Sequence, residues 1–122
     1  MTARRTALAA LIACRKQGAW SDGILKEYLA RDELDRRDAA LASRLCYGVL
    51  QNRMLLDYYL QQVLTGRLMD LQPVVLDILR LGAYQILFLD KLPAAAAVNE
   101  SVNLCKKYAN HRAAGLVNGV LR

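Results

Sequence analysis

Apolar residues recur along this chain at helical spacing, and no segment shows the two-residue alternation of a half-buried strand. Leu8, Leu11 and Ile12 fall at i, i+3 and i+4 of a first helix predicted from Ala3 to Gln17, with Thr2 as its cap and Gly18 as its stop. Ser21 caps a second helix that reaches about Ala30, and Trp20 before it is placed to staple onto Leu25. Asp35, followed three residues later by Asp38, resembles a capping box and opens a third helix to about Asn52. Leu41, Leu45, Tyr47 and Val49 form its expected core stripe, with Gly48 allowing a close crossing. A fourth helix runs from Leu55 to Leu64, and Pro73 marks the first turn of a fifth. After a bend at Lys91-Leu92-Pro93 a sixth runs to Tyr108, and Asn110 caps a seventh. Gly115 and Gly119, four apart, leave one face of that last helix nearly bare and suited to tight packing. The expectation is an all-α chain of about seven helices, most neighbours antiparallel because their links are short.

The fifth helix differs from the rest. From Val74 to about Leu89 it is apolar on nearly every side, which marks the buried axis of a helical domain. Arg80, Tyr84 and Gln85 interrupt it, and Asn99 and Glu100 interrupt an Ala/Val run on the sixth helix. Buried polar groups need partners. The expected arrangement pairs Arg80 with Glu100, bonds Asn99 to neighbouring backbone, and gives Asn118 a similar structural role on the seventh helix.

A chain of 122 residues is one domain by size. Its longest apolar run is broken by Arg80, Gln85 and Asp90, so no membrane span is expected. Cys14, Cys46 and Cys105 are far apart, each among apolar neighbours, and there is a single histidine, His111. This favours buried reduced thiols in a cytoplasmic protein over a disulfide or a metal site. His111 is expected at the surface. The net charge of +6 is unevenly spread. Residues 1–21 carry four basic residues and no acid, residues 101–122 another four and no acid, and the middle holds 9 basic and 11 acidic. A basic excess at both ends points to a polyanion partner.

Three segments carry a resemblance. ILRLGAYQILFLDKLP, AAVNESVNLCKK and AGLVNGVLR resemble the N-terminal, NusB-like domain of bacterial 16S ribosomal RNA cytosine-C5 methyltransferase B, a branch of the NusB superfamily. Gln85 stands where the antitermination factors usually carry Glu, Gly82 is a residue they lack, and DRRDAALASRLCYGVLQNRMLLDYYL is also closer to the methyltransferase domain. The resemblance covers nearly the whole chain and is strongest from residue 35 onward. It implies a NusB-like bundle of two packed subdomains, helices one to three (about 3–52) and four to seven (about 55–122). It also implies RNA contact through a basic N-terminus, matched here by Arg4 and Arg5, whereas Thr6 and Leu8 replace further arginines of the NusB pattern.

Arg15 and Lys16 lie on the same first helix, ~16 Å further along by helix rise. Lys106, Lys107 and Arg112 flank the last bend as a second basic group. Phosphate contacts of this kind give affinity without sequence choice, and base choice in RNA draws on aromatic stacking, for which Trp20 and Tyr108 are the candidates. Their structural alternatives are a helix staple and a helix-end core residue. No Gly-rich turn after a strand and no activated cysteine is evident, so no cofactor and no catalytic residue is expected in this domain. If the methyltransferase resemblance holds, the catalytic domain follows Arg122 in a longer polypeptide, and 16S ribosomal RNA is the expected partner. A free-standing NusB-type antitermination factor and a helical protein–protein module remain as alternatives. The oligomeric state is left open.

Overall fold

The computed structural model describes residues 2–89 and 91–122, so Asp90 lies outside the described residues. Seven α-helices follow one another: α1 (Ala3–Gln17), α2 (Asp22–Arg31), α3 (Arg36–Gln51), α4 (Arg53–Val63), α5 (Pro73–Phe88), α6 (Ala94–Tyr108) and α7 (His111–Leu121). A 3-10 turn, Leu68–Asp70, precedes α5, and no strand occurs among the described residues. None of these helices is long and apolar enough to cross a membrane. They form two compact units, Met1–Gly48 and Val49–Arg122, the division falling within α3.

The helix starts follow the sequence. Thr2, Ser21 and Asn110 accept from the backbone N–H groups of Arg5 (3.2 Å), Ile24 (3.2 Å) and Ala113 (2.7 Å), and Asp35 accepts from Asp38 at 2.7 Å. Each satisfies a donor the first turn leaves unpaired. Gly18 ends α1 with φ +94°, a left-handed conformation natural to glycine, while its N–H reaches Cys14 and Arg15 carbonyls.

In the first unit, α1 buries Ala3, Thr6, Ala7, Leu8, Ala10, Leu11 and Cys14. Its alanines bring backbones close, and the Cys46 thiol on α3 donates to the Ala7 carbonyl at 3.6 Å. Thr6, fully buried, donates its hydroxyl to Asp32 at 2.7 Å and so ties α1 to the end of α2. Thr6 and Leu8, the two replacements of NusB-pattern arginines, are therefore core residues, where an arginine would bury an unpaired charge. The stripe of α3 is Ala42, Leu45, Cys46 and Val49. Tyr47 does not belong to it. It steps off the i, i+3, i+4, i+7 line and is 38 % exposed.

In the second unit α5 is the axis, with every residue from Val75 to Gln85 buried. Gly82 lets α6 and α7 approach it closely. A Cβ there would lie 2.5 Å from Leu121 Cδ1 and 2.7 Å from Ser101 Oγ. Ser101 bonds the Ala97 carbonyl, Gln85 the Leu81 carbonyl, and Tyr84 stacks on Phe88 with centroids 5.3 Å apart. All three cysteines are buried thiols.

Three expectations are corrected here. Arg80 does not pair with Glu100. Its Nε and Nη2 donate to the two carboxylate oxygens of Asp57 on α4, at 2.7 and 2.9 Å. Asn99 is exposed and Glu100 only half-buried, because α6 buries Ala97, Val98, Ser101, Leu104 and Cys105, and Asn99 falls on the reverse of that stripe. Gly115 and Gly119 face outward with nothing within 4 Å, since α7 buries Ala114, Val117, Val120 and Leu121 on its other side. Asn118 is half-buried between the two faces.

Candidate nucleic-acid interface

The first candidate surface belongs to α1. Arg4 and Arg15 are eleven residues apart, as are Arg5 and Lys16, close to three whole turns. Each pair therefore shares a line ~16 Å long along the helix, and the two lines lie about 100° apart around it, with buried Leu8 between them. Arg15 and Lys16 are exposed. Their position in the last turn also suits the negative end of the helix dipole. Arg4 and Arg5 are half-buried, and the Arg5 Nε is buried without a hydrogen-bond partner, so these two are not freely solvated as their place near the terminus suggested.

The turn after α1 delivers Trp20, which is half-buried. Its indole N–H donates to Asp22 Oδ1 at 2.8 Å, and the Tyr47 hydroxyl donates to the same oxygen. The two rings meet edge to face with centroids 5.6 Å apart. The hydrogen bonds from Tyr47 first, then from Trp20, hold the Asp22 carboxyl below its ordinary range, and the Asp22 bond pushes the Tyr47 phenol up. Trp20 has thus used its polar edge inside the protein, leaving it π-surface for any ligand contact. From sequence Tyr47 is expected in the core stripe of α3, and Asp22 is not singled out. The signal was available in Tyr47, an aromatic one position off an otherwise regular stripe.

The second surface lies on α6 and α7. Lys106, Lys107 and Arg112 are exposed around the bend, and Tyr108 is half-buried with Lys107 Nζ 6.0 Å from its ring centroid. Arg112 stands at the rim of a cleft of about 540 Å³. Leu71, Val75, Ala113 and Leu116 give the cleft apolar walls, and Asp70, Gln72, Asn110 and Arg112 give it polar ones. Sequence reasoning named Arg112 but missed the cleft, whose walls come from two segments far apart in the chain, 70–75 and 110–116. His111 is exposed. Arg80, Asn99, Glu100 and Asn118 take no part in either surface.

Cys46 and Cys105 are poor nucleophiles. Burial, with a smaller contribution from nearby Cys14, pushes the Cys46 thiol up to about 12, and burial also raises Cys105. Among the described residues no group of three or more His, Cys, Asp or Glu side chains could hold a metal ion.

The chain is basic and, among the described residues, helical without strands, a class of helical domain that comparison with known proteins narrows. The NusB family profile matches residues 1–122, and the chain belongs to the NusB family. It is 38% identical over 119 residues to the probable ribosomal RNA small subunit methyltransferase B of Bacillus subtilis strain 168, covering 98% of this chain but 26% of that protein. The chain thus spans about a quarter of the length of that relative. It is 33% identical over 119 residues to the transcription antitermination protein NusB of Ruminiclostridium cellulolyticum, covering 97% of this chain and 82% of that protein. A crystal structure of the antitermination factors NusB and NusE in complex with dsRNA has a chain that superposes with a TM-score of 0.87 at 27% identity, covering 98% of this chain and 89% of that one.

Proposed function

We propose that this chain is an RNA-binding domain that positions 16S ribosomal RNA for a cytosine-C5 methyltransferase, the cofactor site and the nucleophile lying in a further part of a longer polypeptide. The carrying observation is the pair of cation lines on α1, Arg4 with Arg15 and Arg5 with Lys16, in a chain of the NusB family. Cations at this spacing meet successive phosphates and release counterions, so affinity falls linearly in log terms as salt rises. Lys106, Lys107 and Arg112 add a second phosphate-binding surface, and the cleft beside Arg112 supplies a place for an unstacked base. Trp20 and Tyr108 are the stacking candidates. The methyltransferase reading is supported by the 38% identity to the B. subtilis protein. High thiol pKa values at Cys46 and Cys105 agree with a nucleophile placed elsewhere. A cytoplasmic setting, where ribosomal RNA is found, goes with this reading.

The test is fluorescence anisotropy of labelled 16S stem-loops across a salt series. Arg15→Glu with Lys16→Glu weakens binding about tenfold or more and flattens the salt slope, while Lys26→Glu, an exposed charge on α2, changes it little. Equal losses from both would reduce the binding to diffuse electrostatics and remove the proposed α1 site. A second reading, a free-standing antitermination factor, draws on the 82% length coverage of the R. cellulolyticum NusB. It predicts that a ribosomal protein partner raises RNA affinity, whereas the methyltransferase reading predicts no such dependence.

A further inference from the structure

Residues 1–21 hold four basic residues and no acid, and Asp22 is the first acid of the chain. An exposed acid beside a surface that binds a polyanion lowers affinity by charge alone. Asp22 is exposed, yet its Oδ1 is committed, because the Trp20 indole N–H and the Tyr47 hydroxyl both donate to it. Trp20 precedes α2 and Tyr47 lies on α3, so one carboxylate pins two rings from separate segments. The rings stand at 69° with centroids 5.6 Å apart, a corner and not a closed stack. Tyr47 is exposed and Trp20 half-buried. The corner also lies close to cations. Gly18 turns the chain at the end of α1, and the Cys14 thiol reaches the Ser21 carbonyl at 3.9 Å. The segment carrying Trp20 therefore folds back on the last turn of α1, where Arg15 and Lys16 are exposed.

We propose that Trp20 and Tyr47 form a composite stacking site for one unpaired nucleobase of RNA, with Asp22 as the positioning residue that sets both rings. The inference rests on the RNA-binding reading above. Both rings have spent their polar edges on Asp22, so they offer a ligand faces and not hydrogen bonds. Such a site takes a flat group, and the cations beside it favour one carried on a phosphate chain, as a base in a single strand or loop is. Stacking on an aromatic ring contributes about tenfold in affinity per base and accepts any base, since every base has a π-face. A ring held in place before binding loses less freedom when the base arrives, and the two Asp22 bonds hold both rings in advance. On this account Asp22 strengthens RNA binding although its charge opposes it.

Trp20 is the sole tryptophan of the chain, so tryptophan fluorescence reports on this site. Its emission is followed while a single-stranded oligoribonucleotide is added, and anisotropy of the same strand, labelled, records binding independently. The expected result is quenching that tracks binding of the normal strand and is absent when an abasic strand of equal length binds. Asp22→Ala weakens binding about three- to tenfold at an unchanged salt slope, because stacking releases no counterions. Asp22→Asn keeps the acceptor oxygen and binds at least as tightly as the parent. Glu27→Ala removes an exposed acid of α2, measures the effect of charge alone, and does not weaken binding. Where Asp22→Ala lowers helix content, the parent's quenching by normal against abasic strand decides. Binding without quenching, or equal quenching by the abasic strand, overturns the stacking site and leaves RNA binding through the cations standing. Binding by Asp22→Ala as tight as by Asp22→Asn reduces Asp22 to a surface charge and overturns its positioning role. No anisotropy change with any strand removes both this site and the RNA-binding reading.

Discussion

Asp57→Ala isolates the buried cation Arg80 of the second unit. The Arg80 side chain is 8 % exposed and the Asp57 side chain 27 %, and the pair is joined by two parallel hydrogen bonds. Removing one member of a fully buried pair costs about 3–5 kcal/mol, because a charge stays in low dielectric without its partner. Water reaches Asp57 more readily than that limit assumes, so the expected loss is about 2–3 kcal/mol. For a chain of this length that corresponds to a fall of roughly 8–12 °C in melting temperature. Asp57→Leu combined with Arg80→Leu removes both charges and recovers at least half of the loss. Glu100→Ala changes stability by no more than ~0.5 kcal/mol, as for other partly exposed positions. Urea unfolding followed by circular dichroism gives all four values under one slope. Refutation takes either of two forms: Asp57→Ala within ~0.5 kcal/mol of the parent, or Glu100→Ala as damaging as Asp57→Ala.

Gly82→Ala places a methyl group against Leu121 and Ser101 and destabilises by about 1–3 kcal/mol in the same assay; a neutral result would mean that α6 and α7 move apart freely. With its thiol pushed up to about 12, Cys46 resists iodoacetamide at pH 8.5 in the folded chain and is labelled only in denaturant. A thiol whose folded pKa exceeds its unfolded one contributes stability that is lost as pH rises above about 9, so Cys46→Ala shallows the alkaline loss of stability. The folded pKa of Asp22 is lowered, so its contribution is present above the ordinary carboxylate range and is lost as pH falls through the folded value. Asp22→Asn therefore weakens the acid dependence of stability below about pH 4, and an unchanged acid limb would show that the Tyr47 and Trp20 bonds do not bias its ionisation.

Most of the fold was legible because helix starts are local. Thr2, Ser21, Asp35 and Asn110 each cap the turn that follows, and the apolarity of α5 announced its burial before any partner was known. Partners across space were not legible. Glu100 and Asp57 are both acids at plausible distance in sequence from Arg80, and only the packing of α4 on α5 selects Asp57. The glycines of α7 illustrate a related limit: small residues permit close packing but do not compel it, whereas Gly82 sits where two neighbouring side chains leave no room. At the candidate interface the basic residues were visible from charge counting alone. The half-burial of Arg4 and Arg5, the Asp22 bridge that orients Trp20, and the cleft beside Arg112 depend on residues brought together from separate segments.

Photocrosslinking of a 4-thiouridine-substituted 16S stem-loop, with the adducts mapped by mass spectrometry, asks directly which residues touch RNA. Adducts are expected in the segment from Arg15 to Trp20 and in the segment from Lys106 to Leu116, both fading together as salt is raised. Adducts confined to α2, α3 or α4, or adducts indifferent to salt, would contradict RNA binding through the two basic surfaces.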